Sequence, residues 1–167
     1  MSKQPEAFPF QPDAVDVLIR EHGTLNRLIH EAMPPASTAS DLEKVAFDAE
    51  QPERLQSLQA EIEAHLSSEE RVFYPFLLQF DEFRTQLTVC HEEHRKVRTE
   101  LQILLQENLP MEGMRKALLA LQSIMAQHIQ FEERDIFPIF RNRVSRVDRE
   151  GLATKLIQVR RTLKKVA

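Results

Sequence analysis

The chain has 167 residues, 42% of them hydrophobic, and a net charge of -4, which suits one compact core and calls for no second one. It contains no apolar run of the roughly 18 to 20 residues needed to span a bilayer, and its start, MSKQPEAFPF, lacks the apolar centre of a signal peptide. A single cysteine, Cys90, excludes an internal disulfide, so the expectation is a cytoplasmic protein that is not inserted in a membrane.

Three glycines, no tryptophan and little β-branched alternation favour helix over sheet. Residues 1–12 carry Pro5, Pro9 and Pro12 with Phe8 and Phe10, and read as an extended arm pinned by its phenylalanines. Asp13 can cap a first helix reaching Met33, with Val15, Leu18, Leu25, Ile29 and Ala32 along one face and His22 filling the gap in that stripe. Pro34 and Pro35 end it, and a loop with a short helical turn near Leu42 to Ala49 follows. Pro52 suits the first turn of a second helix, whose seam is Leu55, Leu58, Ile62, His65, Glu69 and Val72, with Pro75 as its kink or end. Asp81 is the expected cap of a third helix with Phe83, Leu87, Cys90, His94, Val97, Leu101 and Leu104 in its seam. A fourth carries Met114, Leu118, Leu121, Met125, His128, Glu132 and Ile136 and closes at Pro138.

These four helices predict an all-α fold, an antiparallel up-down four-helix bundle over residues 13–140. Residues 141–167 add an amphipathic C-terminal helix with nine Lys/Arg against two Asp/Glu. That basic extension lacks interleaved aromatics, so nucleic acid is not an expected partner. Covering the bundle, or pairing with a second subunit to give a homodimer, is its expected role.

The string HLSSEERVFYP (His65 to Pro75) returns 63 residues later as HIQFEERDIFP (His128 to Pro138). On a helix, a histidine and a carboxylate four residues apart share a face. A weaker match, Glu21-His22 with Glu93-His94, extends the repeat to the other two helices, so that each helix brings one histidine to the seam. Buried carboxylates are costly unless paired or bound to a cation. Two metal ions bridged by Glu69 and Glu132, each with two imidazoles drawn from His22, His65, His94 and His128, would satisfy all six side chains. The nitrogen and oxygen donor set suits iron, manganese or zinc. A metal-free helical scaffold with interfacial histidines is the plainest alternative. Tyr74 and Phe137 are candidate walls of the site or packing residues, and Glu70, Arg71, Glu133 and Arg134 form solvated salt bridges or orient the histidines. Cys90 reads as a small hydrophobe in the seam, with a redox sensor or ligand as the alternative, and His30 as an ordinary surface or packing residue.

The Glu21-His22 pair, H65-LSS-E69-E70, H91-EE-H94 and H128-IQF-E132-E133 with Phe137-Pro138 resemble the hemerythrin and bacterial hemerythrin-like, or HHE cation-binding, family. The resemblance covers residues 13–140 and implies a carboxylate-bridged pair of iron ions, with Mn or Zn as substitutes, that takes a small diatomic ligand such as O2 or NO. Against the oxygen carriers of that family, Cys90 stands where a fifth histidine is expected, which brings in His91 as a further candidate ligand. The carriers' last carboxylate corresponds to Glu133, so Glu133 is the alternative to Glu132. The resemblance implies binding or sensing of O2, NO or iron more than dedicated catalysis. Iron-sulfur cluster repair in a stress response, and iron storage or peroxide handling, are the alternatives.

Overall fold

The computed structural model describes residues 12–35 and 40–163, with side chains at all of these but 41–48. Seven α-helices follow in order: α1 (Ala14–Ala32), α2 (Asp41–Ser68), α3 (Tyr74–Leu77), α4 (Arg84–Leu104), α5 (Met111–Phe131), α6 (Phe137–Arg143) and α7 (Arg146–Leu163). No strand occurs among the described residues. The bundle is built from α1, from α2 continued by α3, from α4, and from α5 continued by α6. The first two pack as one hairpin and α4 with α5 as the other, while α1 also meets α5. The extended arm expected over residues 1–12 falls almost wholly outside the described residues.

Local chemistry explains most of the boundaries. Asp13 accepts from the backbone N–H groups of Val15 (2.9 Å) and Asp16 (3.1 Å), and Asp16 accepts in return from the Asp13 N–H (3.0 Å), a reciprocal cap. The turn between α4 and α5 reverses at Asn108, whose φ of 60° is left-handed, a conformation asparagine tolerates better than most residues.

Four boundaries differ from the sequence expectation. Pro52 does not begin the second helix but lies inside it, because α2 already starts at Asp41. Asp81 makes no cap; it opens a single 3₁₀ turn, Asp81–Phe83, and its carboxylate is held by Arg84 Nε at 2.8 Å. Pro75 and Pro138 do not close their helices. Each is preceded by a five-residue π-helical segment, Glu69–Phe73 and Glu132–Ile136, after which the helix goes on to Leu77 or to Arg143. A proline ring crowds the carbonyl four residues back, and a widened turn placed just ahead of it gives the chain room to pass. In these segments the N–H of Tyr74 reaches the carbonyl of Glu69 and that of Phe137 the carbonyl of Glu132, each spanning five residues.

The core falls into two apolar clusters. One gathers Val15, Leu18, Phe73, Leu87, Ile136 and Phe140; the other Leu25, Ile62, Val97, Leu118, Leu121 and Met125. Between Leu18 and Leu25 on α1, and at the matching level of the other three helices, the buried residues are polar. Helix α7 lies across α1 and α2, burying Leu152, Ala153 and Leu156, so that its apolar face is covered by its own chain. Leu156→Ala is therefore expected to lose about 2–5 kcal/mol in chemical denaturation. Val147→Ala on the same helix, at a position 77% exposed, should stay within about 0.5 kcal/mol.

Candidate metal centre

The polar layer between the two clusters is formed by His22 of α1, His65 of α2, His94 of α4 and His128 of α5, together with Glu69 and Glu132, which open the two π-helical segments. His22 is 2% exposed and the other five have no exposed surface. All four Nε2 atoms face the carboxylates: His22 lies 3.3 Å from Glu132 Oε2, His65 3.4 Å from Glu69 Oε1, His94 3.2 Å from Glu69 Oε2, and His128 3.7 Å from both Glu69 Oε2 and Glu132 Oε2. Glu69 thus turns one oxygen toward each pair of histidines. Donors sharing one ion through bonds of about 2.0–2.2 Å stand about 3 Å apart, close to these separations.

The outer nitrogens are equally ordered. Each Nδ1 is matched to a carboxylate: His22 to Glu133 (2.8 Å), His65 to Glu21 (3.0 Å), His94 to Glu70 (2.9 Å) and His128 to Glu93 (3.1 Å). A carboxylate there accepts a hydrogen bond from Nδ1–H, which keeps the proton on Nδ1 and leaves the Nε2 lone pair directed inward. The four partners obey the internal repeat, since Glu21 and Glu93 precede a histidine of the layer and Glu70 and Glu133 follow a glutamate of it.

Tyr74 breaks the symmetry. Its hydroxyl donates to Glu132 Oε1 at 2.9 Å and lies 3.0 Å from His94 Nε2 and 3.3 Å from Glu69 Oε2. The equivalent residue in the second repeat, Phe137, has no hydroxyl and stacks on the His22 ring at 5.8 Å. At about 100° per residue an uninterrupted α-helix would turn Tyr74 about 140° away from Glu69; the wider π-helical turn brings it back beneath that carboxylate.

Whether these side chains suit a cation is decided by what they lack. Four buried atoms, His22 Nε2, His65 Nε2, Glu69 Oε1 and Glu132 Oε2, have no hydrogen-bond partner, and their residues can converge on one ion. Each such orphan costs about 1–3 kcal/mol, a cost that a bound cation would relieve. Glu69, His94 and His128 form a second group beside the Tyr74 hydroxyl.

The electrostatics are those of a charged cluster. Burial opposes charge on the imidazoles of His22, His94 and His128, but Glu132 at His22, Glu69 and Glu70 at His94, and Glu132 at His128 outweigh it, and all three pKa values stand above the usual range. Burial dominates at His65, helped by the neighbouring imidazoles, and pushes it down to about 3. Glu69 is held well below its usual value: burial raises it, and the surrounding histidines more than reverse that. Burial and the two carboxylates keep the Tyr74 phenol protonated.

The structure therefore brings together His22, His65, Glu69, His94, His128 and Glu132. It leaves out His91, an exposed residue whose ring packs against the edge of Tyr74 at 5.3 Å, because three residues before His94 the helix has turned toward solvent. Glu133 also points away from the centre, toward the outer nitrogen of His22. Cys90 is buried near His128 and Glu132, its thiol pushed up to about 11 by burial. Sequence reasoning missed Glu21 and Glu93, although their place in the repeated Glu-His pairs is a usable signal. It also treated Tyr74 as a packing or wall residue, since a regular helical phase turns it away.

A helical bundle that directs four imidazoles and two carboxylates to one buried layer is of the cation-binding class. The hemerythrin HHE cation-binding domain matches residues 13–140 and again, overlapping, residues 85–163. The chain belongs to that family. No curated protein matches it. A crystal structure of a hemerythrin HHE cation-binding domain-containing protein from Mycobacterium kansasii, described as a homolog of Rv2633c, is similar at a TM-score of 0.69 and 22% identity, over 93% of this chain and 89% of that one. At that identity the likeness speaks for the fold.

Metal loading has to displace protons from the raised histidines. Addition of zinc or ferrous iron to the apo protein in weak buffer should acidify the solution, and apparent affinity should rise with pH through neutrality. Affinity that ignores pH would contradict protonated imidazoles in the apo cluster.

Proposed function

We propose that the protein binds two iron ions bridged by Glu69 and Glu132 and uses them to bind or sense a small diatomic ligand, O2 or NO. The observation that carries this reading is the set of four orphaned, converging donor atoms at His22, His65, Glu69 and Glu132, with a second group sharing Glu69 beside it. His22 and His65 would hold one ion and His94 and His128 the other. The donors suit iron, manganese or zinc, and membership of a hemerythrin family favours iron. Bound iron would supply redox chemistry and open coordination positions.

The chain's own residues set the conditions. The four outer carboxylates fix each ring's orientation and tautomer. Phe137 and Phe73, 5.9 Å apart, keep bulk water from one side of the layer. Tyr74 places a phenol proton at Glu132 Oε1, on the His94 and His128 side only, and makes the two positions chemically unequal. Binding or sensing in place of turnover agrees with a layer closed off by apolar clusters above and below.

Anaerobic titration with ferrous iron should saturate at about two ions per chain. His65→Ala and His128→Ala should each lower that stoichiometry, and a protein that takes up no iron would end the proposal. Admission of air should produce visible absorption, reversed under vacuum for a carrier or sensor; sustained consumption of peroxide or repair of a damaged iron-sulfur cluster would point to a catalyst instead. Tyr74→Phe should retain both ions but lose any phenolate-to-ferric absorption. Tyr74 is the chain's one tyrosine, so absence of such a band from the ferric unmutated protein would mean that Tyr74 acts only as a hydrogen-bond donor.

A further inference from the structure

Helix α7 carries the basic residues that the metal reading leaves unused, and one of them does not face outward. Arg160 is 11% exposed, and its guanidinium lies between two carboxylates that are slightly more buried, Glu21 of α1 and Glu61 of α2. Nη2 donates to Glu61 Oε1. Nη1 stands 2.7 Å from Glu21 Oε2 as an ion pair whose angle is not that of a hydrogen bond. The same Glu21 oxygen is the one facing His65 Nδ1 at 3.0 Å. A continuous line of charged contacts therefore runs from α7 through Glu21 to the outer nitrogen of His65, whose inner nitrogen faces Glu69.

The other half of the bundle repeats the arrangement with a different helix. Arg98 of α4 grips Glu70 with both terminal nitrogens, Nη1 to Oε1 at 2.7 Å and Nη2 to Oε2 at 3.1 Å, and Glu70 Oε1 faces His94 Nδ1 at 2.9 Å. The two lines end on different histidine pairs, one on the His22 and His65 side and the other on the His94 and His128 side.

We propose that Arg160 is a positioning residue for one metal ion, acting through Glu21 on His65, and that Arg98 does the same for the other through Glu70 on His94. The C-terminal helix is thereby part of the metal centre. The physical reason lies in the imidazole. A histidine ligates through Nε2 while Nδ1 keeps the proton, and an acceptor fixed at Nδ1 holds that tautomer and ring orientation. A carboxylate as buried as Glu21 is held in place by a cation against it, and Arg160 opposes the burial that raises this carboxyl to about 8. A guanidinium that also holds Glu61 fixes the position of that cation.

This inference rests on the two-metal reading, and the test separates the two. Dissociation constants for zinc, measured by competition with a chelator, are compared in the full chain, Arg160→Gln, His65→Ala and the double variant. Arg160→Gln should weaken one of the two ions by roughly 10- to 100-fold and leave the other unchanged. The double variant should bind no more weakly than His65→Ala alone, since both act on one nitrogen. Arg98→Gln, in contrast, should add its full effect to His65→Ala. Equal weakening of both ions, additive losses between Arg160 and His65, or no loss would each overturn the proposal. If Arg160→Gln fails to fold, Glu21→Gln reports the same line from its middle, and unchanged zinc affinity there overturns it. A full chain that binds no zinc would defeat the two-metal reading itself.

Discussion

Everything in this fold is arranged around the burial of two carboxylates among four imidazoles at the mid-level of a helical bundle. Glu69 and Glu132 have no exposed surface, and a pair of ionised carboxyl groups in such a place repel one another and forgo water. Imidazoles alone relieve this only in part, and four donor atoms stay orphaned. The surrounding features answer that single difficulty: outer carboxylates that keep the histidine lone pairs inward, arginines set against two of those carboxylates, Arg160 on Glu21 and Arg98 on Glu70, and apolar clusters on both sides that keep solvent out.

The two π-helical segments give the layer its shape. An α-helix returns to the same face after three or four residues, which aligns His65 with Glu69 and His128 with Glu132. It does not align a residue five positions further on. By widening at Glu69 and again at Glu132, the chain adds Tyr74 to one side of the layer and the Phe137 ring to the other without losing the histidine-to-glutamate register. The duplicated motif therefore builds two halves with the same backbone and unequal chemistry, distinguished by one phenolic oxygen.

How much of this could be read from the residues follows from the same geometry. Seams with a regular helical period gave away the bundle, its apolar core and the six polar residues at core positions, because those positions obey the 3.6-residue repeat. Tyr74 escaped because it follows a change of period that no local propensity announces. Pro75 and Pro138 are the visible trace of that change, but a proline in a helical pattern reads more simply as an end. Glu21, Glu70, Glu93 and Glu133 sit next to layer residues and so point sideways to a neighbouring helix, where they look like surface charge until the helices are assembled. Arg160 was hidden among the basic residues of α7. The start of α2 was misplaced because Pro52 fits the first turn of a helix better than its interior, and only the chain ahead of it shows that the helix was already under way.

The division of the core into two clusters by this layer ties folding to supply. A species that binds only the folded chain adds RT ln(1 + [L]/Kd) to its stability. Here that species would act at the junction between the two halves, where apolar contact is thinnest and uncompensated charge is greatest. Marginal changes in stability alter the steady-state amount of a protein in a cell several-fold. For a bundle built in this way, a bound cation would make the amount of folded chain follow the supply of that cation, without any change in synthesis.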